Sequence, residues 1–270
     1  MWQWDLIAPL VVAGCIAGFM AGLLGLGGGV LVVSAMVYIL HAQFGELAYL
    51  QHIAIGTSFA VMIFTGMANA LAQHRLHAVR WDMVRRIAPG MVLGTILGSL
   101  LAPLIPEKAL RIGFIVFVYF LCIKMWRQRI LEPTPRDVGK RTLFGAGGGI
   151  GLLSSWLGIG GGTISVPFLM YCGLAMRQAV GTSAVLAWPI AVTGALSYLA
   201  SGWGQADLPP QTVGFIYLPG LLVLSLCTVI FAPLGAKTAS AISPKTLKIV
   251  FVLLLLVIAL DMTRRIFFAA

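Results

Sequence analysis

Uncharged stretches recur along this chain at the length a bilayer demands, and no other feature narrows its possible folds so far. Leu6 to Leu40, Ile53 to Gln73, Ile87 to Pro106, Thr142 to Met176, Gln178 to Ala206 and Leu208 to Ala236 contain no Asp, Glu, Lys or Arg, and shorter bare runs cover Ile112 to Ile123 and Ile249 to Leu260. A hydrocarbon core is crossed by about 20 apolar helical residues. Lipid offers no partner to a backbone N–H or C=O, so a spanning segment must be a helix or a strand of a closed barrel. None of these stretches alternates apolar with polar residues as a barrel strand would. The expected fold is therefore all-α, a polytopic transmembrane helical bundle. Composition agrees, since 60% of the residues are hydrophobic and only 10% charged, where soluble domains carry about a quarter charged residues.

The formal net charge of +10 would suit a nucleic-acid surface, but the basic residues sit in short connections between apolar runs rather than on one soluble face, which excludes that class. Cys15, Cys122, Cys172 and Cys227 all fall within apolar runs, where cysteine acts as a small hydrophobe. With no CxxC or His/Cys cluster, neither a metal nor a cofactor is expected. Val12-Ala13-Gly14-Cys15 resembles a lipoprotein cleavage box, but Met1 to Asp5 lacks the basic residues of a signal peptide, so the expectation is an uncleaved first span.

The chain repeats itself. Gly25-Leu26-Gly27-Gly28-Gly29 matches Gly158-Ile159-Gly160-Gly161-Gly162, and Ala54-Ile55-Gly56-Thr57-Ser58 matches Ala179-Val180-Gly181-Thr182-Ser183. Thr65-Gly66 matches Thr193-Gly194, Pro89-Gly90 and Ala102-Pro103-Leu104 match Pro219-Gly220 and Ala232-Pro233-Leu234, and Lys108-Ala109-Leu110-Arg111 matches Lys245-Thr246-Leu247-Lys248. The division that follows is a first transmembrane repeat over 1–131, a cytoplasmic linker over 132–141 and a second repeat over 142–270. Each repeat reads as about five segments: a helix, a glycine-rich break, a short helix and three full spans.

An odd number of segments should invert one repeat relative to the other. With the N-terminus outside, the connections over 75–86, 124–141, 177 and 237–248 hold fourteen of the 18 basic residues inside, leaving Lys108, Arg111, Arg264 and Arg265 outside. Parallel repeats would give a weaker bias of twelve against six. The positive-inside rule thus favours inverted repeats.

Inverted repeats with interrupted helices mark secondary transporters, whose sites lie near the midplane at the repeat interface. Gly27, Gly28 and Gly29 leave a helix that should restart at about Val30, and Gly160, Gly161 and Gly162 precede a second start at Thr163. A helix start presents unpaired N–H groups and a positive dipole end, which hold an anion without any cationic side chain. Three successive glycines are costly in a helix, and their recurrence argues for use. Gly18, Gly22, Gly94, Gly98, Gly147 and Gly151 are read instead as close-packing positions.

Thr57, Ser58, Thr182 and Ser183 could bind a ligand through their hydroxyls or simply cap helices. Asn69 and Trp188 read as packing residues, and His41, His52, His74 and His77 as solvated loop positions. Span interiors bare of charge argue against coupling through a buried carboxylate, with Asp261 the one partial candidate. An anion driven out by the inside-negative potential, at about 2.3 kcal/mol per charge per 100 mV, needs no such group.

Two GxGGG turns, each with a short apolar helix and then A-x-G-T-S opening the next span, resemble the TauE/SafE sulfite exporter family, also called the toluene sulfonate uptake permease family. The likeness covers nearly the whole chain. Pro167 matches a proline usual in that family after the glycine turn, whereas the first half has Val33 and Ser34 there, so the two turns should be unequal. The resemblance implies a multi-pass permease of the bacterial inner membrane for sulfite, a sulfonate or a related small sulfur anion. It also places substrate at Gly27 to Gly29, Thr57, Ser58, Gly160 to Gly162, Thr182 and Ser183; Thr163 joins them as a hydroxyl at the second helix start. An anion channel is the nearest alternative reading. A serine-type membrane enzyme would need a general base, and the second half contains no histidine, so no catalytic residue is expected; a scaffold is the remaining alternative.

Overall fold

The computed structural model describes residues 4–24, 28–127, 138–206, 208–239 and 244–267. Its helices are α1 (Trp4–Leu24), α2 (Gly29–Phe44), α3 (Leu50–Arg75), α4 (Trp81–Leu101), α5 (Glu107–Arg127), α6 (Lys140–Leu157), α7 (Gly162–Tyr171), α8 (Met176–Ser201), α9 (Leu218–Ala239) and α10 (Pro244–Phe267). The all-α polytopic bundle is what the apolar runs demanded. Among the described residues four helical segments, Leu50–Arg75, Trp81–Leu104, Met176–Ser201 and Leu218–Gly235, are long and apolar enough to cross a membrane. Most of the linker over 132–141 lies outside the described residues, and α6 already begins at Lys140.

Packing follows the repeat. α1 lies along α9 and α4 along α6, the same pair under exchange of halves, while α3 crosses α8 and α5 meets α10. Small residues make the first two pairs possible, because helices in lipid gain by close backbone approach rather than by the hydrophobic effect. A Cβ built on Gly14 would sit 2.7 Å from Cys227 Cβ, one on Gly18 2.6 Å from Thr228 Cα, and one on Gly22 within the Ala232 backbone. On the other pair, Gly90 faces the Phe144 carbonyl, Gly94 the Gly148 backbone and Gly151 the Met91 backbone, each too close for any side chain. The packing assigned to Gly18, Gly22, Gly94 and Gly151 is what these contacts express.

Two buried threonines join the halves. Thr57 Oγ1 on α3 accepts the Tyr217 N–H at 2.9 Å, and Thr182 Oγ1 on α8 accepts the Arg80 N–H at 3.0 Å. Tyr217 and Arg80 immediately precede α9 and α4, so each threonine fixes the start of a span from the opposite half.

Two features differ from expectation. A two-stranded hairpin, β1 (Thr212–Val213) with β2 (Ile216–Tyr217), leads into α9; its strands are too short for any periodic pattern to betray. His52 is not solvated but 1% exposed, because α3 begins at Leu50, ahead of the bare run from Ile53, and draws Gln51 and His52 into its first turn.

Candidate functional site

Both glycine runs turn the chain at the same step. In the second half, α6 ends at Leu157 and Gly158 turns left-handed (φ 65°), with the Ile159 N–H donating back to the Ser154 carbonyl at 3.3 Å. Gly161 is left-handed again (φ 71°) and α7 starts at Gly162. In the first half Gly28 takes the same conformation (φ 67°) ahead of α2 at Gly29; Gly27 lies outside the described residues. Left-handed backbone costs a residue with a Cβ about 1–2 kcal/mol, so Gly28, Gly158 and Gly161 are the positions in these turns where glycine is needed for its conformation. The restarts expected at Val30 and Thr163 come one residue sooner, since a single left-handed turn at the middle glycine is enough to re-aim the chain.

The two breaks meet. A Cβ on Gly29 would lie 2.8 Å from the Gly158 carbonyl oxygen and 3.1 Å from Ile159 Cα. Ser58, buried on α3, donates to the Gly158 carbonyl at 2.9 Å and lies 3.4 Å from the Gly29 carbonyl, so one hydroxyl touches both breaks. Met62 Sδ flanks them, 3.0 Å from the Gly29 Cβ position and 3.4 Å from that of Gly160.

At each helix start the third and fourth amides are taken: Leu31 and Val32 both donate to the Gly28 carbonyl at 3.0 and 3.1 Å, and Ile164 and Ser165 to the Gly161 carbonyl at 3.0 and 2.7 Å. Among the described residues the Gly162 and Thr163 amides have no backbone acceptor and open off the end of α7, as helix geometry requires. At α7 two hydroxyls accompany them. Thr163 Oγ1 and Ser154 Oγ are buried, and neither has a hydrogen-bond partner; Ser154 Oγ lies 3.4 Å from the Cβ position of Gly161, beside Ile190 and Ile150. Buried hydroxyls are nearly always bonded, so two orphans at one helix start are a chemical signal. Sequence reasoning missed Ser154, although Ser154-Ser155 interrupting the bare run from Thr142 was a usable cue.

The other expected residues divide. Thr57 and Thr182 have their oxygens engaged by the backbone bonds that join the halves. Ser183 pairs with Ser165 of α7 at 2.7 Å and is 2% exposed, so it lies against the second start without an orphaned oxygen. The halves are unequal where the proline marked them. Ser34 of α2 donates to the Val30 carbonyl at 2.8 Å; the corresponding residue of α7 is Pro167, inside the helix, which has no N–H for the Thr163 carbonyl four residues back. Asp261 lines an apolar cavity of about 650 Å³ between α1, α2 and α10, with Val12, Ile16, Tyr38 and Val257.

The model of the family described as "Sulfite exporter TauE/SafE" matches residues 10–262. A probable membrane transporter protein of Haemophilus influenzae is 36% identical over 253 residues, covering 93% of this chain and 96% of the relative. Probable membrane transporter protein MJ0441 of Methanocaldococcus jannaschii is 26% identical over 259 residues, 95% of each chain, and YunE of Bacillus subtilis, similarly named, is 26% identical over 213 residues, 72% of this chain and 78% of its own. No solved structure matches.

Proposed function

We infer that this chain, which belongs to the sulfite exporter TauE/SafE family and is a membrane transporter of that type, carries a small sulfur oxyanion such as sulfite or a short sulfonate, held where the two glycine turns meet. The observation that carries the reading is the pair of orphaned, buried hydroxyls, Ser154 Oγ and Thr163 Oγ1, beside two unengaged amides at the start of α7. All four groups can donate a hydrogen bond, and the helix end adds a favourable partial charge. A bare oxyanion, acceptor-only and tetrahedral or pyramidal, fits such a set.

Absence of charge suits transport. Leu6 to Leu40 and Thr142 to Met176, which contain the two turns, and Ile53 to Gln73, which contributes Ser58, hold no ionised side chain. A lysine or arginine would bind an anion in a low-dielectric site too firmly to release it, whereas amides and hydroxyls compensate for lost hydration without trapping the cargo. Ser58 and the meeting of Gly29 with Gly158 place both breaks at one locus, so a shift of either half remakes the pocket. Inverted repeats, with the N- and C-termini outside, would let that shift expose the locus to alternate sides, and the membrane potential would favour export. Placement in the inner membrane of a bacterial cell follows from the same reading.

Purified protein in liposomes should exchange trapped for external sulfite, sulfate, thiosulfate or sulfoacetate, with at least one moving well above protein-free vesicles. Gly28→Leu and Gly161→Leu should stop that exchange in protein that still folds. Unchanged exchange in both variants would remove the glycine turns from the pathway, and no anion movement with any of the four would overturn the permease for sulfur anions.

A further inference from the structure

The uncharged spans argue against coupling through a buried carboxylate, and the titratable group buried at the start of α3 is a histidine. His52 is 1% exposed, on the same helix as Ser58. Its Nε2 lies 2.9 Å from the Ala102 carbonyl oxygen; that oxygen only accepts, so Nε2 carries a hydrogen. Its Nδ1 faces Glu107 Oε2 at 3.4 Å. Glu107 Oε1 meanwhile accepts the Gln51 backbone N–H at 2.8 Å and Arg111 Nε at 2.8 Å, so the carboxyl group is held in place with Oε2 turned to the ring. With hydrogen committed at Nε2 and a carboxylate oxygen opposite Nδ1, a hydrogen bond between them requires a second proton, and without it two lone pairs face each other.

The remaining groups around the ring are all identifiable. Arg111 also reaches Glu46 at 3.2 Å, and Glu46 meets His41 at 3.4 Å, both pairs nearer the surface. Tyr49 and Phe215 pack their rings against His52 at 5.5 and 5.3 Å. Arg111 is shared between Glu107 and Glu46, and of the two histidines in the cluster His41 meets the exposed Glu46 while His52 is the buried one, against Glu107. Beside it, Gln51 is fully buried, and neither its Oε1 nor its Nε2 has a hydrogen-bond partner among the described residues. The second half offers no equivalent: by the alignment of Ala54 with Ala179, the position of His52 is Arg177, which donates to the Leu76 carbonyl at 2.9 Å and cannot lose its proton.

We propose that His52 and Glu107 form a proton-binding site linked to anion passage, rechargeable from the face of the membrane on which α3 begins. Loading transfers a proton from hydronium to the Nδ1 lone pair: one N–H bond forms, one O–H bond of hydronium breaks, and water is released. Unloading reverses it. The added positive charge rests against Glu107 at the head of the helix that carries Ser58, offsets part of the charge of an arriving anion, and ties the start of α3 to α5.

The inference rests on the permease reading, and the test separates the two. Full-length protein in liposomes is given sulfoacetate, or whichever anion the exchange panel moves, with the potential clamped and pH stepped between about 5.5 and 7.5, across the ordinary imidazole range, on each side in turn. Wild-type flux should change about fivefold or more with pH on one side only, His52→Gln should flatten that response, and Glu107→Gln should shift or flatten it. The substrate's own titration is common to all three proteins. Imidazole nitrogen NMR of the wild type in nanodiscs, assigned through His52→Gln, should show His52 passing between the Nε2–H form and imidazolium over the same range. A His52→Gln protein with the wild-type pH profile, or a His52 signal fixed in one form throughout, overturns the proton site. A titrating His52 in a protein that moves none of the anions overturns the permease reading instead.

Discussion

Replacing Ser154 by alanine should make the protein more stable and a poorer anion binder, two effects of opposite sign from one oxygen atom. Ser154 is 0% exposed and its hydroxyl has no hydrogen-bond partner. A buried polar group left unbonded costs about 1–3 kcal/mol. Removing it recovers that cost, less a small penalty for the space left, so without anion the variant should gain up to about 2 kcal/mol. With anion the balance reverses. A hydrogen bond to a charged partner is worth about 1.5–3 kcal/mol, a loss of roughly 10- to 150-fold in affinity when deleted. The assay is thermal unfolding of purified protein in detergent without anion, then again over a sulfite titration. Wild type should rise in Tm with sulfite and the variant should start higher but respond only at far higher concentration. A Ser154→Ala protein that melts lower without anion and binds sulfite as tightly as wild type would refute the reasoning, because the hydroxyl would then be serving the fold.

Thr57→Val and Thr182→Val should do the reverse of Ser154→Ala: each orphans a backbone N–H, of Tyr217 or Arg80, and should lower stability by about 1–3 kcal/mol in a thermal melt while leaving sulfite affinity within about threefold. The glycines of α6 should sort by what faces them. Gly145→Ala and Gly149→Ala, with nothing within 4 Å, should be neutral or stabilising by up to about 1 kcal/mol, whereas Gly151→Ala, against the Met91 backbone, should lower Tm sharply or abolish folding. A reporter fused after Ala270 should be found on the outer face if the repeats are inverted with the N-terminus outside; a cytoplasmic signal would sink that topology.

Much of this architecture was legible because lipid leaves so few options. Bare runs with no partner for the backbone had to be helices, and the repeated GxGGG turns announced where they would break. Close packing was legible at Gly18, Gly22, Gly94 and Gly98, but that α1 would meet α9 and α4 would meet α6 was not. What stayed hidden depends on contacts between residues distant in sequence. Thr57 looked equally suited to a cap or a ligand, and only the Tyr217 N–H reaching it across 160 positions shows it joining the halves. His52 looked like a loop residue because hydropathy marks where apolar side chains begin, not where a helix does. Ser154 sits on the α6 side of the turn, and only the left-handed reversal at Gly161 brings it beside the start of α7.

Crystals grown with selenate, a heavier tetrahedral oxyanion, would test the central claim through its anomalous scattering. A peak within hydrogen-bonding reach of Ser154 Oγ, Thr163 Oγ1 and the Gly162 amide, lost in a Ser154→Ala, Thr163→Val double variant, is the result this account predicts. Selenate confined to the basic connections, with none at the meeting of the glycine turns, would contradict it.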